Sequence, residues 1–224
     1  MKVLIACEES QAVCNEFRKL GHEAFSCDLY KSSGGHPEWH IQWNCLPLLN
    51  GNCEFVTESG DIHKIDGKWD LIIAHPPCTH LSSSGQWAYK KGKDINLKYE
   101  AIEFFMHFIN ANCDRIAVEN PIGVMSSEFR KPDQIIQPYW FGDKAQKSTC
   151  LWLKGLPLLH PTNIVDKGEF VEWIDKKTGR KKRQSKYDME ILKIAKTGEE
   201  RSKLRSKTFK GIAEAMATQW NNLN

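Results

Sequence analysis

The chain has 224 residues, of which 41% are hydrophobic, and its formal net charge is only +3 at neutral pH. This length and composition predict one substantial hydrophobic core, and no apolar run is long enough to cross a bilayer. The first residues lack the cleavage site and long apolar region of a secretory signal. We therefore expect a cytoplasmic monomer with no membrane partner.

The cysteines and histidines follow no metal-binding or disulfide pattern. Eight cysteines are spread along the chain without a Cys-x-x-Cys pair, and His36 and His40 have no partner pair at metal-ligand spacing. We expect reduced thiols and no metal.

The first part of the chain alternates strand and helix patterns. Residues 2–6 predict a buried parallel strand, and Ser10 is placed to cap a helix that Gly21 ends. The second strand is predicted over residues 22–27, with Asp28 at its carboxyl end. A Rossmann-like fold places an acid at that position against ribose hydroxyls.

The same alternation continues further along the chain. Residues 70–74 predict a strand, 97–111 a helix, and 115–118 a strand that ends at Glu119. Residues 51–67 predict a hairpin insertion. Alternating strands and helices indicate an α/β fold with a mainly parallel sheet and helices on both faces.

The pattern changes after Gly142, where one more strand, residues 149–153, precedes turn-rich, charged sequence. We divide the chain into a catalytic core (residues 1–153), a small recognition segment (154–186) and C-terminal helices (187–224). The last helix has an apolar stripe that predicts packing against the core.

Two motifs carry candidate chemistry. Pro76-Pro77-Cys78 follows one predicted strand and Val118-Glu119-Asn120-Pro121 ends another. Open α/β sheets bind ligands at the carboxyl ends of strands, and the prolines fix the backbone around Cys78. Taken singly, Cys78 is compatible with a small core residue and Glu119 with a capping or ion-paired carboxylate. Together they predict a nucleophile and a proton donor acting on a pyrimidine ring. Glu119 ends an apolar strand, so burial is expected to raise its pKa.

In their order along the chain these motifs resemble those of the DNA cytosine carbon-5 methyltransferases, whose nucleophile motif is Pro-Cys and whose acid motif is Glu-Asn-Val or a close relative. Four stretches are similar to the short members common in bacteriophages and prophages, namely residues 3–28, 70–85, 117–125 and 205–220. The resemblance implies a Rossmann-like methyltransferase sheet with a small target-recognition appendage, Cys78 as nucleophile and Glu119 as acid. It also implies S-adenosylmethionine as the methyl donor and double-stranded DNA as the partner, with the target base flipped out of the stack.

The positions assigned to the donor by this resemblance are Ala6, Cys7, Glu8, Glu9, Asp28, Leu29, Asn44, Cys45 and Pro76. Glu8 or Glu9 would bind the donor's ammonium group and Asp28 its ribose, although a strand-end acid paired with a lysine is an alternative for Asp28. Asn44 stands where the family has an aspartate, which predicts weaker binding or a different donor. Asp61, in a Gly-Asp turn of the insertion, is a second candidate for the missing acid.

For DNA, the expected contacts are Thr79, Ser82, Lys147, Thr149, Arg180, Lys181, Lys182 and Arg183. Ser148 and Cys150 occupy two positions where the family has arginines, so Lys147 or Thr149 is expected to substitute. The hydroxyls of Thr79 and Ser82 equally suit capping of a turn. The basic run 176–186 fits either phosphate contacts or a solvated loop.

The sequence therefore predicts a DNA cytosine-5 methyltransferase. One alternative keeps the covalent chemistry but acts on RNA or a free pyrimidine nucleotide, or uses a modified donor. Another is a DNA-binding relic without activity. The stretch 205–209 is expected to return to the donor pocket or, alternatively, to cap the last helix.

Overall fold

A computed structural model describes residues 1–221 of the chain. Its strands are β1 (Lys2–Ala6), β2 (Glu23–Asp28), β3 (His40–Gln42), β4 (Cys53–Val56), β5 (Ile62–Ile65), β6 (Leu71–Ala74), β7 (Ile116–Pro121), β8 (Gln134–Ile136), β9 (Thr149–Lys154), β10 (Phe170–Ile174) and β11 (Lys181–Ser185). Its α-helices are α1 (Ala12–Lys19), α2 (Asn96–Ile109), α3 (Met125–Glu128), α4 (Lys186–Ile194), α5 (Gly198–Ser206) and α6 (Lys210–Trp220).

Seven strands form the central sheet in the order β3-β2-β1-β6-β7-β9-β8. The pairs from β3 to β7 are parallel, whereas β9 runs antiparallel to both β7 and β8. This confirms a mixed α/β protein with a mostly parallel seven-stranded sheet, consistent with a Rossmann-like fold. β2 and β3 are added to the sheet on one side of β1, and β6 and β7 are added on the other side. The direction in which strands are added therefore reverses between β1 and β6.

Both faces of the sheet are buried, as the uninterrupted apolar strands predict. Successive residues of β1 point to opposite faces, so Val3 and Ile5 pack with α1 and α6 while Leu4 and Ala6 pack with α2. The apolar stripe of α6 is buried against the sheet and α1, as expected. Residues 222–224, which belong to the predicted C-terminal segment, lie outside the described residues.

Two small hairpins lie outside the central sheet. β4 and β5 pair antiparallel around a turn at Gly60, which confirms the predicted insertion. β10 and β11 also pair antiparallel and fall within the predicted recognition segment. Within residues 1–221, no helix has both the length and the apolar character needed to span a membrane.

Ser10 is not the residue directly before α1, although its hydroxyl accepts a long hydrogen bond, 3.5 Å, from the Ala12 N–H. Gln11, not Ser10, precedes the helix, and its φ of 56° is left-handed. The free N–H groups of Val13 and Cys14 instead donate to the two carboxylate oxygens of Glu8, at 2.7 and 3.2 Å. Glu8 can cap the helix because the left-handed turn at Gln11 brings its carboxylate back over the first turn of α1.

Candidate active site

A cavity of about 780 Å³ opens at the carboxyl ends of the parallel strands, across the point where the strand order reverses. Its walls come from the loops that follow β1, β2, β3 and β6, together with α5 and the residues after it. Ligands of open α/β sheets bind at this position, and the volume is in the range of small-molecule sites.

Cys78 lies in the wall of this cavity and is exposed. The loop that carries it is fixed from β7, because the side-chain amide of Asn120 donates to the Pro76 carbonyl at 2.7 Å. The backbone of Gly123 pairs with Ser82 just beyond Cys78. A Cβ on Gly123 would lie 2.0 Å from the Leu81 carbonyl oxygen, so only glycine allows this close approach. The fold therefore sets the position of the thiol.

Glu119 lies near Cys78, at the end of the neighbouring strand, and is mostly buried. His75 Nδ1 donates to Glu119 Oε2 at 3.1 Å, since an ionised carboxylate only accepts. The expected rise in the pKa of Glu119 is wrong. Burial does act to raise it, but the His75 hydrogen bond and the charge of Lys147 outweigh burial and hold the pKa below its ordinary value.

The pKa of the Cys78 thiol is shifted in the opposite direction, upward. Desolvation raises its pKa and the Glu119 carboxylate raises it further, while Lys147 and Arg205 act in the lowering direction. The net effect is a pKa above the usual range of a cysteine. The thiolate, which is the reactive form, is therefore the minor species near neutral pH.

The two adjacent acids Glu8 and Glu9 have different environments. Glu8 is 4% exposed and both of its oxygens are bound by backbone N–H groups of α1. Glu9 is 8% exposed, and neither oxygen has a hydrogen-bond partner among the described residues. Its nearest cation is Lys203 of α5, whose Nζ lies 3.4 Å from Oε2. Of the two residues predicted to hold an ammonium group, Glu9 is the one with free acceptors.

The other predicted donor positions lie mainly in the same cavity wall: Cys7, Asp28, Leu29, Asn44 and Cys45. Burial raises the pKa of Asp28, which also accepts a hydrogen bond from the Tyr30 N–H at 3.0 Å. Asn44 is exposed and its side-chain oxygen accepts from the Leu46 N–H. Its amide NH₂ is the group left to meet a ligand. Asp61 lies at the β4–β5 turn, where its Oδ2 accepts from Ser59.

Cys7 takes the backbone conformation that a glycine-rich loop would otherwise provide. Its φ is 58°, in the left-handed region, although it is not a glycine. Its sulfur lies 3.9 Å from that of Cys45, so the loops after β1 and β3 touch.

Ten predicted positions are not part of the cavity wall: Ala6, Pro76, Ser82, Glu119, Lys147, Thr149, Arg180, Lys181, Lys182 and Arg183. Ala6 and Pro76 are buried beneath it in the sheet and the Cys78 loop. Ser82 is turned toward Ser84. Thr149 is buried within β9 and its hydroxyl donates to the Lys147 carbonyl, so the expectation that it contacts DNA is wrong. Thr79, by contrast, lies in the cavity wall.

Lys147 and the chain after α5 converge on the site. Lys147 Nζ donates to the Arg205 carbonyl at 2.8 Å, and its charge acts on both Glu119 and Cys78. Ser206, Lys207 and Thr208 line the cavity, as the resemblance implied for this stretch. Neither hydroxyl caps the last helix, since Phe209 occupies the position before α6 without a side-chain cap.

The basic run lies on β11 and the turn before it. Lys181 pairs with Glu172 at 2.7 Å, Lys182 pairs with Asp175, and the Arg183 guanidinium lies 3.7 Å from the centre of the Phe170 ring. Arg180 is exposed in the turn. The sequence run contains no acid, but antiparallel pairing brings the acids of β10 and the turn opposite it. Two of the four cations of this run that were predicted to contact DNA are thus already ion-paired.

Sequence reasoning missed His75 and Lys203. His75 lines the cavity, bonds to Glu119 and has a buried Nε2 without a partner among the described residues. Its place directly before Pro76 was the signal that could have found it. Lys203 offers no comparable signal, since α5 has no buried residue and no apolar periodicity.

No protein-family model matches this chain, and a search of curated proteins finds no match to it. Among residues 1–221 no cluster of three or more His, Cys, Asp or Glu side chains is placed to hold a metal ion. The site must therefore be interpreted from its own residues.

Proposed function

We propose that this protein methylates carbon 5 of cytosine in DNA, with S-adenosylmethionine as donor and Cys78 as the covalent nucleophile. The observation that carries the proposal is one cavity that holds Cys78 after β6 together with side chains following β1, β2 and β3. This arrangement suits a reaction between two bound molecules, because a nucleophile and a second binding region share one enclosed space.

The cavity residues fit the donor. Glu9 offers a cationic ammonium group two carboxylate oxygens that accept no hydrogen bond, beside the ion-paired Lys203, and Asp28 offers an acceptor to hydroxyl groups. Leu29 and Trp43 are exposed apolar side chains in the cavity wall, suited to the face of a planar ring. When bound, the donor supplies an electrophilic methyl group.

The protein groups make the cytosine ring reactive. The Cys78 thiolate adds to carbon 6, so that an Sγ–C6 bond forms and the electron pair of the C5=C6 bond becomes available at carbon 5. Transfer of the methyl group to carbon 5 would leave S-adenosylhomocysteine. Loss of the carbon-5 proton to solvent water then restores the C5=C6 bond and breaks the Sγ–C6 bond, which releases Cys78 as a thiolate. The addition uses no metal ligand from the protein.

Glu119 acts at the edge of the base during this addition. Its pKa is held low, so the ionised carboxylate accepts a hydrogen bond from ring nitrogen 3 once that nitrogen has taken up a proton. His75 fixes one of the carboxylate oxygens. Glu119 therefore acts as a hydrogen-bond acceptor and not as a proton donor, because its depressed pKa keeps the carboxylate ionised.

The proposal is tested by incubating mixed-sequence DNA with S-adenosylmethionine and measuring the nucleosides by mass spectrometry. We expect 5-methylcytosine with the wild-type protein and none with Cys78→Ala. Cys53→Ala, which removes a thiol from the β4 hairpin, is the matched control and should retain activity. Methylation that survives Cys78→Ala would refute the mechanism.

The same assay separates the alternatives. Product from RNA or free cytidine nucleotides, with none from DNA, would keep the covalent chemistry and change the substrate. DNA binding without any modified base or Cys78 adduct would favour a relic without activity.

A further inference from the structure

An exposed aromatic and basic surface lies on the segment that follows Cys78. Residues Ser83–Lys91 form a nine-residue 3₁₀ helix with no buried side chain, and Trp87 within it is 60% exposed. Runs of 3₁₀ helix this long are uncommon, and an exposed tryptophan does not help to form the core. We call the Trp87 surface the group made by Trp87, Tyr89, Lys90, Lys91 and Lys93.

The cations of this surface are arranged around its aromatic rings. Lys91 Nζ lies 4.9 Å from the centre of the Trp87 ring, and Lys93 Nζ lies 5.5 Å from that of Tyr89. Among the described residues, no carboxylate lies within ion-pair distance of Lys90, Lys91 or Lys93, unlike the paired lysines of β11. These three charges are therefore available to an anionic partner.

The Trp87 surface is attached to the loop of the nucleophile. The Tyr89 hydroxyl and His80 Nδ1 are 2.6 Å apart, and Gln86 Nε2 donates to the His80 and Ser82 carbonyls. His80 is two residues from Cys78, and Thr79 between them lines the cavity. The Trp87 surface is thus bonded to the loop that carries Cys78.

We propose that the Trp87 surface binds an unpaired nucleic-acid strand, with Trp87 stacking on a base and the three lysines contacting phosphates. Stacking on a side chain requires a base that is not already stacked in a helix, whereas a duplex presents mainly its backbone and grooves. The inference deepens the proposed function, on which it rests: the target cytosine is taken from single-stranded DNA in preference to a duplex.

The first test compares two exposed tryptophans. A fluorescein-labelled 20-nucleotide cytosine-containing strand and its duplex are titrated against wild type, Trp87→Ala and Trp173→Ala, and anisotropy gives the affinities. Trp173, on β10, is 40% exposed and is the matched control. We expect tighter binding of the strand than of the duplex, a loss of about 5- to 100-fold in strand affinity for Trp87→Ala, and less than about a twofold change for Trp173→Ala.

A second test uses the lysines. Lys90→Gln with Lys91→Gln should reduce the slope of log affinity against log salt by about 1.4 for the single strand. Lys181→Gln with Lys182→Gln, which removes two ion-paired cations, should change it by less than half as much. Thermal melting checks that the variants remain folded, since the substituted side chains are all exposed.

Three results would each overturn the inference: unchanged strand affinity in Trp87→Ala, equal losses in Trp87→Ala and Trp173→Ala, or tighter binding of the duplex by wild type. Cytosine methylation with any of these results would leave the proposed function standing. Loss of strand binding in Trp87→Ala, in a protein that methylates no nucleic acid, would uphold strand binding by the Trp87 surface and refute the proposed function together with the assignment of a target cytosine.

Discussion

The strand-end cavity and the β10–β11 hairpin both carry many charges, but they use them differently. In the hairpin the charges are exposed and satisfy one another, as Lys181 does with Glu172 and Lys182 with Asp175. In the cavity wall Glu9 is buried without a hydrogen-bond partner and has only the Lys203 ammonium, 3.4 Å away, as an ion-pair partner. Glu119 is not in the wall itself, but it is mostly buried and bonds to the wall residue His75.

This difference indicates where a ligand is needed. A buried carboxylate that accepts no hydrogen bond costs free energy, which the ion pair of Glu9 with the partly exposed Lys203 recovers only in part. An exposed ion pair adds little in either direction. The carboxylate oxygens of Glu9 can therefore still accept hydrogen bonds from a ligand, whereas Lys181 and Lys182 of the hairpin are already held in ion pairs. In the sequence, the run of basic residues suggested the hairpin as a binding site. In the structure, the buried charge of Glu9 indicates the cavity instead.

The largest effect is expected from Glu119→Gln, which would break the cavity's charge arrangement. We expect methyl transfer to fall by about 10²- to 10⁴-fold, because a neutral amide cannot stabilise the protonated ring nitrogen. The Glu119 charge raises the pKa of Cys78, so the same substitution should lower that pKa. Iodoacetamide should then alkylate Cys78 roughly two- to tenfold faster at pH 8.

The opposite signs of these two effects separate chemistry from unfolding. Peptide mass spectrometry resolves Cys78 from the other cysteines, which are partly or fully buried. Glu128→Gln, at a carboxylate that pairs with Lys98, is the control and should alter neither rate. Slower alkylation in Glu119→Gln would contradict the electrostatic assignment.

A comparison within the cavity comes from the adjacent acids. Glu9→Gln should weaken S-adenosylmethionine binding by about 10- to 100-fold, measured by calorimetry, because a buried charge pair is lost. The unfolding free energy should fall by less than about 1 kcal/mol, since Glu9 makes no hydrogen bond in the described structure and its ion pair is with the partly exposed Lys203.

Glu8→Gln should behave in the reverse manner. It should lower the unfolding free energy by about 1–3 kcal/mol in urea titrations, because it removes one of two acceptors at the start of α1. Equal losses of stability in the two variants would mean that Glu9 has a structural role as well.

A smaller effect is expected from Lys147→Met. Lys147 acts to lower the pKa of Cys78, so its removal should raise that pKa and shift the alkylation profile to higher pH. At a fixed pH below the thiol pKa, the alkylation rate should fall roughly two- to tenfold. Lys144→Met, at an exposed lysine paired with Asp166, is the control and should leave the profile unchanged.

The order of strands and helices could be predicted because apolar runs and turn residues determine it locally. The sequence patterns at residues 2–6, 70–74 and 115–118 correspond to β1, β6 and β7. The short strand β8 and the exposed helix α5 were missed, because neither has a periodic apolar pattern. Their positions depend on tertiary contacts.

Site residues could be predicted at strand ends, where the topology brings them together. The pKa of Glu119 and the capping role of Glu8 could not be predicted, because they depend on contacts that only the folded structure creates. The low pKa of Glu119 requires His75 and Lys147, which are 44 and 28 positions away in the sequence. The capping role of Glu8 depends on the left-handed turn at Gln11.

The smallest effect is expected in the hairpin, and it tests the other side of the comparison. Lys181→Gln with Lys182→Gln removes two positive charges, but it also frees Glu172 and Asp175, so the net charge of residues 170–185 falls from +4 to +2. If the hairpin were a phosphate-binding element, this change would reduce DNA affinity by tenfold or more at low salt. Because both lysines are held by acids of the same hairpin, we expect a change below about threefold in an anisotropy titration.

A matched variant, Glu172→Gln with Asp175→Asn, releases the same lysines and should strengthen DNA binding at low salt. A gain from freeing the lysines with little loss from removing them would show that ion pairing within the hairpin, and not a shortage of positive charge, keeps this segment from being the main nucleic-acid contact.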